Sequence, residues 1–241
     1  MPAPVIGEDI PLARRSPATL ARRPSKRTAF VGLVLGLIGA TAVLLLVPGP
    51  WRRWLEPLPV EGLNARLSAD GRLLGHHPYP EVPRDQLVEL ELSPGLELKP
   101  EAAAAAGAMQ RAAAADGVDL VVLSAFRSIA LQKSIFFDIK AERNQSAQER
   151  ARVSAPPGFS EHSTGYAVDL GDGRDPATNL SEAFDRTEAF RWLQANAARF
   201  HFQLSFPQNN PQGVSYEPWH WRFEGSADAL KLFEPAQRLA R

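Results

Sequence analysis

The chain has 241 residues, 44% of them hydrophobic, and its 27 basic residues are matched by 27 acidic ones. Zero net charge supplies no overall positive field for phosphate binding, so the composition argues against a nucleic-acid partner. The absence of cysteine excludes a thiolate nucleophile, a thiolate metal ligand and a disulfide framework, while leaving export open.

Residues 1–28 carry Arg14, Arg15, Arg22, Arg23, Lys26 and Arg27 against only Glu8 and Asp9, and have little to bury; they are expected to be a disordered basic tail. The next stretch, "AFVGLVLGLIGATAVLLLV" over 29–47, is uncharged throughout and long enough to cross a bilayer as a helix. A buried core helix would show a polar face, and this run has none. It also exceeds a usual signal core of roughly 7–15 residues and ends without a clear small-x-small cleavage site, which favours an uncleaved anchor. Six basic residues before it and two after, Arg52 and Arg53, predict a cytoplasmic N-terminus with everything beyond the anchor outside. Trp51 and Trp54 suit the outer interface. The proline-rich stretch 48–83 reads as a stalk with a short hairpin around "ARLSADGRLLG", and the compact domain is expected over 84–241.

Within that domain a helix is predicted over 100–115, with proline in its first turn and Asp116-Gly117 closing it. "VDLVVLSAF" is short, apolar and rich in β-branched residues, hence a buried strand. A second helix is expected over 130–152, then a loop "PPGFSEHST" and an alternating strand "GYAVDL". Thr187 should cap a third helix running to Phe200, since its hydroxyl can accept from first-turn amides and Glu188 suits the dipole. "FQLSF" and "YEPWHWRF" read as the remaining strands, joined by "PQNNPQG". Helices and strands mix without regular βαβ alternation, so the fold class is α+β.

Of five histidines, His76, His77 and His201 have no company that supplies further ligands, and each is expected to be merely exposed or packed. His162 and Asp169 are different. They are seven apart with Gly165 between them to let the backbone turn, and far downstream "EPWHW" sets Glu217 three before His220. Two imidazoles and a carboxylate form a three-ligand set suited to zinc with the fourth position open. A nearby carboxylate that is not a ligand, Glu217, then has the right chemistry to take a proton from water and deliver it to a leaving amine. Residues three apart on a regular strand point to opposite faces, so Glu217 and His220 converge only if Pro218 breaks the strand. Either motif alone would be read as structural, with His162 capping a loop and His220 packed between Trp219 and Trp221. Strand tryptophans usually belong to the core; a wall for a small residue is the alternative.

"SEHSTGYAVD" followed by "EPWHW", with "SAFRS" and Gln132 upstream, resembles the zinc D-alanyl-D-alanine carboxypeptidases of the VanY-like type, in the group that also contains lysostaphin and Sonic hedgehog. The resemblance runs over about 84–241 and implies a Hedgehog/DD-peptidase-like domain with a central antiparallel sheet flanked by helices. It implies zinc held by His162, Asp169 and His220, with Glu217 as catalytic base and Arg127 holding substrate near the scissile bond. Ser160 and Gln132 match positions lining the substrate site, and Phe126 stands where a tyrosine is often found. Arg127 also makes sense alone: it follows an apolar strand and its guanidinium fits a carboxylate or a developing oxyanion, a structural ion pair being the other reading. Recognition of a free C-terminal carboxylate is expected from Arg127 with Ser128, Gln132 or Ser160.

The resulting expectation is a membrane-anchored, outward-facing zinc peptidase that removes the terminal D-alanine from peptidoglycan stem peptides. An L,D-carboxypeptidase or a stem endopeptidase on the same site is the nearest alternative. A zinc-containing cell-wall-binding module is the more distant one, against which the presence of Glu217 argues.

Overall fold

The computed structural model describes Leu63 and residues 65–239; the expected basic tail, the 29–47 anchor and the first part of the stalk lie outside the described residues. Among the described residues no helix is long and apolar enough to cross a membrane.

The order of elements is β1 (Val88–Leu90), β2 (Ser93–Leu98), α1 (Pro100–Ala115), β3 (Leu120–Ser124), α2 (Ile129–Glu142), α3 (Ala147–Ala151), β4 (Ala167–Asp172), α4 (Glu188–Asn196), β5 (Phe202–Leu204), β6 (His220–Phe223) and α5 (Ala227–Leu239). β1 and β2 form a small antiparallel pair, and a four-stranded antiparallel sheet has the order β3-β4-β6-β5. The architecture is α+β, as the mixed pattern of elements predicts.

α1 occupies the expected span. Proline fills its first turn, where no intrahelical donor is needed, and buried Ala102, Ala106, Met109 and Ala113 recur at helical spacing. These small side chains pack in one core with Val168 and Leu170 of β4, Trp221 and Phe223 of β6, and Phe190 and Leu193 of α4. Burial of this kind, at roughly 25 cal/mol per Å² of apolar surface, is what holds the sheet in place. Thr187 caps α4 as expected, its hydroxyl accepting from the Phe190 amide at 3.1 Å. α4 itself ends at Asn196, and a 3-10 turn over Ala197–Phe200 completes the expected span.

Three expectations are corrected. The single helix over 130–152 is two, because Asn144 takes a left-handed conformation (φ 49°) and Ser146 starts α3 with a reciprocal capping box to Glu149. The strand expected over "YEPWHWRF" begins only at His220, since Glu217 and His220 close a turn through Pro218. The stretch 63–83 is no free stalk. Leu63 and Leu73 are buried with Phe136 and Ala151, Tyr79 N donates to Gly158 O, and Val82 N donates to Ser163 O. Its expected hairpin is a tight turn over Ser68–Arg72 followed by one isolated bridge, Leu73 to His76. The sequence reading also omitted α5, whose start is marked by Ser226 accepting from the Ala229 amide.

Candidate metal centre

Two strands and one turn build the centre. Asp169 of β4 lies directly opposite His220 of β6, so the register alone sets their side chains together on one face. His162 reaches the same place from a 3-10 turn, Glu161–Thr164, that enters β4 through Gly165. Gly165 has φ 72°, and a Cβ there would come within 2.8 Å of the Leu87 side chain and 3.3 Å of the Lys99 amide; the turn needs glycine. His162, Asp169 and His220 are all buried and offer one ligand atom each, all within 4.8 Å of one another.

The hydrogen bonds assign the ring nitrogens. His162 Nδ1 is 2.7 Å from Ala125 O, which only accepts, so Nδ1 carries the proton. Burial, then the Arg127 charge, lowers the His162 pKa to about 4, leaving the ring neutral with a bare Nε2. That nitrogen lies 3.2 Å from Asp169 Oδ1, which puts two acceptors face to face. On the other side His220 Nε2 is 3.0 Å from Glu161 Oε2, and its Nδ1 is 3.3 Å from the same Asp169 oxygen. A cation ligated by His162 Nε2, Asp169 Oδ1 and His220 Nδ1 resolves the facing acceptors, and the donor set suits zinc. The outer ring nitrogens are already held by a carbonyl and a carboxylate, as metal-binding imidazoles generally require.

The charges fit the same purpose. Burial would raise the Asp169 pKa, but His162 and His220 outweigh it and hold the carboxyl well below its usual range. Burial opposes a charge on His220, yet Asp169 and Glu161 push its pKa up to about 10, so a metal entering here must displace a proton. Glu217 is buried beside the triad, its Oε2 3.7 Å from His220 Nδ1. Desolvation raises its pKa to about 8, into the range where a carboxyl exchanges protons near neutrality.

The other expected site residues divide. Arg127 lines the cavity at the triad; its Nη2 is 3.4 Å from Asp169 Oδ2 and its buried Nε has no hydrogen-bond partner. Gln132 and Ser160 line the same cavity, whose volume is about 320 Å³. Gln132 donates to Ala155 O (2.6 Å) and Ser154 Oγ (3.2 Å), which leaves its buried Oε1 free as an acceptor. In that orientation it suits a peptide N–H rather than the carboxylate expected of it. Ser128 is not among the cavity-lining residues; its hydroxyl accepts from the Leu131 amide at 3.1 Å as the N-cap of α2. Trp221 is core and Trp219 lines the cavity, so the two tryptophans flanking His220 split between the two readings.

Glu161, assigned no role from sequence, and His76, expected to be merely exposed or packed, complete the surroundings of the centre. Glu161 binds His220 through Oε2 and also accepts from Ser205 Oγ and, through Oε1, from Arg222 Nη1 at 3.1 Å. His76 is buried, lines the cavity and donates Nε2–H to Ala151 O at 2.7 Å. Burial lowers the His76 pKa to about 4 from 6.5. Between those values the unfolded chain binds the proton more readily, so stability is fully present above pH 6.5 and falls as pH drops toward 4, by about 3 kcal/mol for this shift. Denaturant titrations at pH 7 and pH 4 should therefore show a smaller acid loss in His76→Gln than in the unsubstituted protein; equal losses would remove His76 from the account.

A family model described as VanY, D-alanyl-D-alanine carboxypeptidase, matches residues 95–226. A D-alanyl-D-alanine carboxypeptidase of Enterococcus faecalis is 38% identical over 132 residues, 51% of this chain and 46% of its own length. The chain thus spans about half the length of the curated relatives it matches. Among solved structures, the LdcB LD-carboxypeptidase is 27% identical with a TM-score of 0.55, over 76% of this chain and 89% of that one. VanYB in complex with D-alanine-D-alanine is 28% identical with a TM-score of 0.53, over 68% and 93%. A mutant of the vancomycin-resistance D,D-pentapeptidase VanY from a VanB-type cassette, in complex with Zn(II), is 27% identical with a TM-score of 0.51, over 68% and 94%.

Proposed function

The chain belongs to the VanY D-alanyl-D-alanine carboxypeptidase family, and we propose that it is a zinc-dependent D,D-carboxypeptidase that removes the terminal D-alanine from peptidoglycan stem peptides. The observation that carries this reading is a buried, non-ligand carboxylate, Glu217, set against a His-Asp-His triad in a cavity that is also lined by the Arg127 guanidinium. Zinc held by His162, Asp169 and His220 supplies Lewis-acid chemistry at a carbonyl or a water.

Every other step falls to the chain's own side chains. Glu217 accepts the proton of the attacking water at its carboxylate and returns it to the departing amine nitrogen, a task matched by its raised pKa. Arg127, with one face on Asp169 and an unpartnered Nε, donates to the oxygen that becomes negative as the carbonyl is attacked, or to the terminal carboxylate. Gln132 Oε1 accepts from a peptide N–H, and Ser160 and Trp219 bound the small terminal residue. In the proposed topology the 29–47 segment anchors the protein in the cytoplasmic membrane with the catalytic domain outside, where its substrate lies.

The likeness to an LD-carboxypeptidase supports a second reading, cleavage of D-alanine from an L-centre in tetrapeptide stems. Both are tested by incubating the full-length protein with pentapeptide and tetrapeptide stems and following product masses with and without chelator. Loss of one alanine from the pentapeptide, abolished by chelator and restored by zinc, is the expected result. Trimming of the tetrapeptide alone would replace the D,D reading with the L,D one, and trimming of neither would sink both.

A further inference from the structure

The cavity extends beyond the groups the reaction uses. Gln132, Ile135, Ile139 and Arg143 line it at spacings of three to four, so one face of α2 and its C-terminal cap forms a continuous wall, and Arg150 of α3 lines the same cavity within reach of the Arg143 charge. Arg143 is exposed and sits where a cation complements the helix C-terminus. Arg150 has no such explanation. It is 6% exposed, its buried Nε has no hydrogen-bond partner, and among the described residues no carboxylate pairs with either arginine. Burial, then the charge of Arg143, disfavours its protonated form. A guanidinium kept buried beside a second guanidinium is costly unless an anion arrives to pair with both.

The spacing says where on a substrate that anion is. From Gln132 to Arg143 the helix axis rises about 16 Å, and allowing for the length of an arginine side chain the pair stands roughly 10 Å from the Gln132 end, about three residues of extended peptide. A carboxypeptidase has one residue beyond the scissile bond, too short for that distance. The group reached is therefore upstream of the cut.

Resting on the carboxypeptidase reading, we propose that Arg143 and Arg150 form a carboxylate-binding subsite that selects stem peptides bearing a second acidic group two or three residues before the scissile bond. Two carboxylates of a stem fit: the side-chain carboxylate of a diamino diacid at the third residue, or the free α-carboxylate of a γ-linked glutamyl at the second. A planar guanidinium fork donates to either in two-point fashion.

The test compares kcat/KM of the full-length zinc protein on three pentapeptide stems: one with meso-diaminopimelate third, one with lysine third, and one with diaminopimelate third and the glutamyl carboxylate amidated. Loss of the carboxylate that binds is expected to lower kcat/KM about ten- to hundredfold, the worth of a charge-assisted contact, and to identify which of the two it is. In Arg143→Gln, at an exposed helix end, and in Arg150→Met, which keeps the apolar stem, that ratio should fall toward one while zinc content stays at one per chain. Equal kcat/KM on all three stems, or equal losses on all three in both variants, overturns the subsite and leaves the carboxypeptidase reading standing. Release of D-alanine from none of the stems overturns the reading and the subsite with it.

Discussion

Glu217→Gln is expected to keep zinc at one per chain and to lose about 10²- to 10⁴-fold in kcat, the usual worth of a positioned general base. The amide preserves the volume of a buried side chain and its contact with His220, so folding and the triad survive while the proton-accepting oxygen is gone. The pH profile separates this role from a structural one. The base works ionised, so activity must rise with pH through its pKa. That pKa is about 8 in the protein alone, and a cation held by the neighbouring triad favours the carboxylate, so the acid limb of kcat/KM should lie below pH 8. In the variant the limb should disappear from whatever activity remains. A variant that loses zinc in equilibrium dialysis would make Glu217 a ligand instead of the base; one that keeps wild-type kcat would remove it from the chemistry.

The triad was legible in the sequence because its elements carry local signals. Gly165 marks the turn between His162 and Asp169, alternation marks β4, and Pro218 marks the break that lets Glu217 approach His220. α1 was legible to its ends for the same reason, having proline at one end and Asp116-Gly117 at the other. What stayed hidden depends on pairing between distant strands or on single buried side chains. Glu161 looks like a solvated residue in a loop, and only the meeting of that loop with β6 shows it to be 3% exposed. One clue was present: His220 and Arg222 alternate onto the same face of β6, and an arginine beside a metal ligand asks for an anion. The 63–83 stretch misled for a related reason. Leu63, Leu73, His76 and Tyr79 are buried from turns and irregular chain, which has no helical or strand period to announce it. The division of 130–152 was readable, since Ser146 and Glu149 spell a capping box inside the supposed helix.

Glu161→Ala is expected to have the largest effect on stability and a separate effect on metal binding. Burial alone would raise the Glu161 pKa, but Arg222, His220 and Ser205 outweigh it, so the carboxylate is charged at any ordinary pH. Removing it leaves Arg222 buried with one remaining partner, Glu224, and breaking a buried pair in this way costs about 3–5 kcal/mol. It also frees His220 Nε2, the nitrogen whose hydrogen bond points Nδ1 at the metal position, and such outer contacts are typically worth about 10- to 100-fold in affinity. The two effects separate in the double variant Glu161→Leu/Arg222→Met. An apolar pair of similar volume removes the buried, half-paired guanidinium and leaves the partly exposed Glu224 carboxylate with Gln237 as its donor, so denaturant stability measured in excess chelator should recover in part. Neither side chain can accept from an imidazole N–H, so zinc affinity measured by chelator competition should stay low. Recovery of both would mean that Glu161 matters to zinc only by keeping the protein folded; recovery of stability alone identifies it as the residue that aims His220.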